Sequence, residues 1–263
     1  MTLELDLPDS PPSTERLYQL GSIVFSLKNC DAQFKDNLDL LLPHYGGPDA
    51  VQKYHIDTGC TKNVLDLVHH VAKLHHKSIW IQASCLSSAT GKKVLLAGKM
   101  GSGKSLTALA LREIKGFKVL SENLVFVDCE KKKLVSFSAP FAVDEKAILI
   151  LEPLVNQLPE PRLIVEWRKD RVWIPVDSSG IETYEDADFA LAVWLSDVDD
   201  LKQLTLGECT LTEFVRSIMT VSNALRMPGS TDLLYESLAS AKIVTISGGS
   251  LRDRANAIYD LAG

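Results

Sequence analysis

Eight consecutive residues carry the clearest chemistry in this sequence: Gly98, Lys99, Met100, Gly101, Ser102, Gly103, Lys104 and Ser105. They satisfy the pattern Gly-x-x-x-x-Gly-Lys-Ser/Thr at every fixed position, a spacing that turns successive backbone N–H groups inward on phosphate oxygens. Glycine permits the tight turns this requires. Lys104 is placed to reach β- and γ-phosphates, and the Ser105 hydroxyl to complete a magnesium coordination sphere. With Leu106 in the first turn of the helix that must follow, residues 98–106 are the expected nucleotide-binding segment. ATP and Mg2+ are the groups such a cradle takes. A second polar group, Ser121-Glu122-Asn123, begins 17 residues beyond Lys104. Glu122 could ligate the metal or accept a proton, whereas Asn123 could ligate or orient but not take a proton.

These residues need particular elements to hold them. KVLLAG (93–98) reads as a short buried strand entering the loop, and 105–114 as the helix leaving it, with Gly116 at its C-terminal stop. Upstream, 78–87 reads as one strand, joined to the loop strand by a turn at 89–92. Downstream, 117–128 is strand-like and carries Glu122, and the basic turn at 130–133 leads into a hairpin. A second hairpin spans 162–176, turning at Lys169-Asp170, and 189–196 is a strongly buried strand. Helices at 210–226 and 230–240, a strand at 242–247 and a helix at 250–262 complete the chain. Before the loop, 18–29 reads as one or two strands, and 34–42 and 63–76 as helices. Residues 1–14, with three prolines, read as a flexible start. The pattern is α/β, a mixed sheet interrupted by hairpins.

Composition sets the outer bounds. The chain has 263 residues, 46% hydrophobic and 24% charged, which excludes a collagenous or low-complexity protein. Its net charge of −6 lacks the basic footprint of nucleic-acid or anionic-membrane binding, so phosphate must be bound by a local device. No apolar run approaches the ~18 residues of a membrane span, and the acidic, proline-rich start has no secretory pattern. Five scattered cysteines without a Cys-x-x-Cys pair fit reduced thiols, and a cytoplasmic location is expected.

Other chemistry-bearing residues have plainer explanations. His69, His70, His75 and His76 lie on the helix at 63–76, and a metal site with Cys60 or His55 lacks a supporting pattern. Asp197, with Asp199 and Asp200, follows the strand at 189–196 and is held as a reserve magnesium ligand. The four tryptophans fall in strand candidates and read as core. Cys85 has no basic neighbour to activate it.

From residue 78 onward the sequence resembles the HPr kinase-related kinases, whose P-loop fold is shared with phosphoenolpyruvate carboxykinase. Gln82-Ala83-Ser84 stands at a family His-Ala-Ser segment, residues 98–105 at its phosphate loop, and Gly116-Phe117-Lys118 before Glu122-Asn123 at an acidic pair. Pro140 and Lys146 match a later proline and lysine, and 169–172 with Pro175 a family hairpin. Gln82 replaces the usual histidine, Asn123 the second aspartate, and Phe141 an arginine. The resemblance implies a kinase core over 77–263 behind a small N-terminal subdomain, 1–76. It also implies a Mg2+- and ATP-dependent transfer to a hydroxyl, with Glu122 and Ser105 at the metal and Lys104, Glu122 and Asn123 catalytic. The implied acceptor is a serine of a peptide or small protein, such as a ribosomally made peptide precursor, or a small-molecule hydroxyl. Neither nucleic acid nor membrane is an expected partner, and the oligomeric state is open. The three departures motivate a second reading, a nucleotide-binding regulator or scaffold without transfer; an NTPase coupled to motion is a third.

Overall fold

The computed structural model describes residues 4–5, 16–42, 44–46, 52–57, 64–151, 163–164, 171–176, 184–196 and 203–263. The chain opens with β1 (Glu4–Leu5), β2 (Tyr18–Leu20), β3 (Ile23–Lys28), α1 (Ala32–Leu41), β4 (Lys53–Asp57) and α2 (Val64–Leu74). Next come β5 (Ser78–Ile81), β6 (Ala83–Ser87), β7 (Lys93–Gly98), α3 (Lys104–Lys115), β8 (Lys118–Ser121), β9 (Val125–Asp128) and β10 (Lys133–Val135). They are followed by β11 (Phe141–Asp144), α4 (Glu145–Leu151), β12 (Leu163–Ile164), β13 (Arg171–Ile174), β14 (Tyr184–Asp186) and β15 (Leu191–Leu195). β16 (Thr205–Glu208), α5 (Leu211–Met219), a 3-10 turn (Ala224–Arg226), α6 (Ser230–Leu238), β17 (Lys242–Ser247) and α7 (Leu251–Ala262) close it.

The architecture is mixed α/β. Its central sheet has the order β16-β17-β15-β7-β6-β8, with β17, β15 and β7 parallel and β6 antiparallel to both β7 and β8. Period-two alternation along β7 makes this a two-faced sheet. Val94 and Leu96 join Ala108 and Leu111 of α3 and Leu251, Ala255 and Ile258 of α7 on one side. Leu95 and Ala97 join Phe214, Val215 and Ile218 of α5 and Leu234 of α6 on the other. Burial of strand residues on both faces explains why β7 and β15 are almost wholly apolar.

A second sheet, β14-β10-β9-β5, turns Ile79, Ile81, Val125 and Val127 toward the α5–α6 layer. Its opposite face, through Trp80, Phe126 and Val135, packs on β2, β3, α1 and α2. The N-terminal elements form a β1-β4-β3-β2 sheet of their own.

Three expectations change. The single strand expected over 78–87 is two strands in different sheets, broken at Gln82, whose N–H donates to the Val221 carbonyl (2.8 Å). The strand expected over 117–128 likewise breaks, at 122–124, so Glu122 sits in a turn between sheets and not on a strand. The helix expected over 210–226 stops at Met219, and the 3-10 turn follows separately. Gly116 does end α3 in the left-handed region (φ 68°), its N–H donating to the Arg112 carbonyl. The turn at Lys169-Asp170, together with Asp197, Asp199 and Asp200, lies outside the described residues.

Candidate functional site

Strand direction decides where the polar residues meet. β7 ends at Gly98, β15 at Leu195 beside it, β17 at Ser247, and β8 at Ser121, while β6 begins at Ala83 opposite Ala97. All five ends lie on one edge of the central sheet, the edge where open α/β sheets present ligand crevices. The glycine-rich loop and Glu122 therefore arrive at one place from distant parts of the sequence.

The loop turns on glycine. A Cβ at Gly98 would stand 2.4 Å from the Leu195 carbonyl oxygen and 2.6 Å from Ser102 Oγ, so only glycine admits the passage. Gly101 and Gly103 are left-handed (φ 84° and 81°), and Gly103 caps α3. The Thr107 N–H donates to the Gly103 carbonyl (2.8 Å), which closes the first helical ring. The N–H groups of Lys104, Ser105 and Leu106 precede that ladder and remain available to an anion at the positive end of the helix dipole. Lys104 folds back over the loop, its Nζ donating to the carbonyls of Gly98 and Lys99 (both 2.8 Å). Met100 stands at the tip, almost fully exposed.

Behind the loop lies a carboxylate held by two serines. Ser105 Oγ donates to Glu122 Oε1 (2.5 Å) and Ser84 Oγ to Glu122 Oε2 (2.6 Å). Glu122 and Ser84 are each 1% exposed. Burial pushes the Glu122 carboxyl above the usual carboxylate range, against the pull of both hydroxyls, Lys104 and the Asn123 N–H. Burial also lowers the Lys104 ammonium, while Glu122 raises it. Both charged groups are thus desolvated and short of compensation. Asn123 is left-handed (φ 67°), a conformation asparagine tolerates, and its Nδ2 is buried with no hydrogen-bond partner. Ser102 Oγ is in the same state. Two orphaned polar atoms, free helix-start amides and a hydroxyl–carboxylate pair suit a phosphate-bearing ligand and a hard cation with oxygen donors.

The structure brings together Gly98, Lys104, Ser105, Glu122 and Ser84. The role of Ser84 was missed by sequence reasoning, although it sits in the segment already singled out; a serine in an apolar strand carries no signal of its own. Arg254, 1% exposed on α7, was missed as well; its Nη1 donates to the Ser102 carbonyl (3.3 Å). Phe141, where the resemblance expects arginine, is fully buried with the Arg112 guanidinium 5.2 Å above its ring. Lys146 is exposed, and its N–H caps an Asp144 turn. The histidines separate: His75 is buried and reaches the Leu20 carbonyl, while His76 is on the surface. Cys85 is fully buried, which pushes its thiol well above the ordinary range. Among the described residues no helix is long and apolar enough to cross a membrane.

No family model and no curated protein matches the chain. Among solved structures, the HPr(Ser) kinase/phosphatase from Coxiella burnetii aligns at TM-score 0.31 and 11% identity, over 69% of this chain and 92% of that one. That likeness is a loose, fold-level hint and nothing more.

Proposed function

We propose that this chain is an ATP- and Mg2+-dependent kinase of the HPr kinase-like type, built on a P-loop core over 77–263 with residues 1–76 as a small subdomain. It transfers the γ-phosphoryl group to a hydroxyl, a serine of a peptide or small protein being the acceptor class. The observation that carries this reading is the meeting of Ser105, at the start of the loop helix, with the buried carboxylate of Glu122. Residues 98–106 bind the phosphates through backbone N–H groups, and Lys104 exchanges its two loop carbonyls for phosphate oxygens. Ser105 and Glu122 would hold the metal. Mg2+ bound there would neutralise charge gathering on the transferred group. Ser84 keeps Oε2 of Glu122, so Oε1 becomes the oxygen open, once the Ser105 hydroxyl turns away, to the metal or to the acceptor's proton. Asn123 orients a neighbouring group through its unpaired Nδ2.

Labelled ATP, Mg2+ and a panel of serine-containing peptides test this directly. Glu122→Gln is expected to cut transfer by about 10²–10⁴-fold with ATP binding retained. Lys104→Ala is expected to lose ATP binding itself. Wild-type protein that binds ATP yet labels no acceptor overturns the kinase reading. One observation favours the runner-up, a nucleotide-binding regulator without transfer: both oxygens of the single carboxylate are already taken by serine hydroxyls. That reading predicts ATP binding in wild type and in Glu122→Gln alike, and transfer in neither.

A further inference from the structure

Arg254 comes from the last helix, α7, and its burial is unusual for an arginine (1% exposed). Its Nε donates to the Gly248 carbonyl (2.8 Å) and its Nη1 to the Ser102 carbonyl (3.3 Å). Gly248 and Gly249, both left-handed (φ 61° and 76°), form the turn from β17 to α7. Arg254 therefore bridges two glycine turns at the carboxyl ends of two parallel strands, β7 and β17. A backbone peptide has two ends. Holding the Ser102 carbonyl inward fixes the plane of the Ser102–Gly103 peptide and turns its N–H the opposite way, toward the ligand side. α7 is well anchored for this work: Ser250 caps it, its Oγ accepting from the Asp253 N–H while the Asp253 carboxylate accepts from the Ser250 N–H.

We propose that Arg254 is a positioning residue of the phosphate loop, fixing the orientation of its backbone amides. The proposal rests on the reading of residues 98–106 as a phosphate cradle. Arginine is required because a planar fork serves two acceptors in different directions; a lysine keeps the charge but not the bridge.

The test uses the full chain, ATP calorimetry and hydrogen exchange, on wild type, Arg254→Lys and Arg254→Met. Arg254→Lys is expected to weaken ATP binding about tenfold, the equivalent of one charge-assisted hydrogen bond. Amides of 99–105 are expected to exchange faster, while those of β3 stay as protected as in wild type. Arg254→Met is expected to lose more; if it does not fold, Arg254→Lys decides. ATP affinity within about twofold of wild type in Arg254→Lys overturns the proposal, with or without faster loop exchange, since the residue is then structural only. A wild type that binds no ATP, or binds it undiminished in Lys104→Ala, removes the phosphate reading instead. The exchange of 99–105 then still shows whether Arg254 orders the loop, and unchanged exchange overturns that as well.

Discussion

His75 ties the N-terminal elements to the core, and its burial makes that tie depend on pH. The residue follows α2 and is 7% exposed. Its Nε2–H donates to the Leu20 carbonyl at the end of β2 (3.3 Å). Its ring lies 4.6 Å from Phe126 of β9 and meets Phe137 edge-on at 5.9 Å. Burial lowers its pKa to about 4; the Leu20 carbonyl and Asp128 pull upward, and His76 pulls further down. In the unfolded chain the imidazole returns to about 6.5. A depressed pKa gives stability that is fully present above the unfolded value and lost as pH falls toward the folded one. Between these limits each pH step takes about 1.4 kcal/mol, for about 3 kcal/mol in all. From pH 7.5 to 5.0 the same relation gives a loss of about 2 kcal/mol.

The control is His75→Gln, which keeps a donor for Leu20 and cannot titrate. Every other ionisable group is common to both proteins and drops out of the difference. Urea unfolding followed by tryptophan fluorescence suits the region, because Trp173 and Trp80 belong to the same core as His75's neighbours. The expected result is that wild type loses about 2 kcal/mol more than His75→Gln between pH 7.5 and 5.0. The variant's own stability at pH 7.5 is immaterial, since only the pH dependence is compared. Parallel curves would refute the reasoning, for they would mean that the folded imidazole titrates as freely as the unfolded one.

Two further outcomes follow from local geometry. Gly98→Ala places a methyl 2.4 Å from the Leu195 carbonyl, against backbone that cannot move aside, and is expected to cost about 1–3 kcal/mol in urea unfolding and to weaken ATP binding. Thr210→Ala removes the capping box that opens α5 and is expected to lower stability by about 1 kcal/mol, with ATP affinity unchanged, since the cap lies outside the loop and its supports.

Much of this fold is written locally. The stretch 93–98 is buried as its composition requires, Gly116 stops α3 where a left-handed residue is needed, and the strand 242–247 has the bounds its pattern sets. The two strand errors share one cause. Residues 78–87 and 117–128 are continuous in β-forming composition, yet each passes from one sheet to another, and that change depends on which neighbour each half pairs with. Asn123 did carry a signal: asparagine is the non-glycine residue most at ease with positive φ, and the break falls beside it. Gln82 carried none. The loop was legible because its function needs fixed residue types at fixed spacing. Ser84 and Arg254 were not, because a strand serine and a helix arginine gain meaning only from what the tertiary fold sets opposite them.

The break in each strand is also what assembles the site. Ser84 and Leu86 share one face of β6, and Leu86 packs with Val94 and Leu96 on the side covered by α3. Ser84 thus faces the helix that carries Ser105. Had β6 continued from β5 in one sheet, the register that brings Ser84 opposite the end of β8 would be fixed by β9 instead, and a one-residue slip would turn its hydroxyl to the α5 face. β6 and β8 keep an irregularity between Cys85 and Leu86, next to Ser121, which lets β8 end early and release Glu122 into its turn. The carboxylate is then held by three separately anchored parts: Ser84 of β6, Ser105 of α3, and its own N–H on the Phe137 carbonyl (3.1 Å). A buried carboxylate with a raised pKa is costly to keep, and a merely structural position would accept glutamine at little loss. Retaining an acid there, beside a loop that stabilises anions, is intelligible if the acid's charge is used.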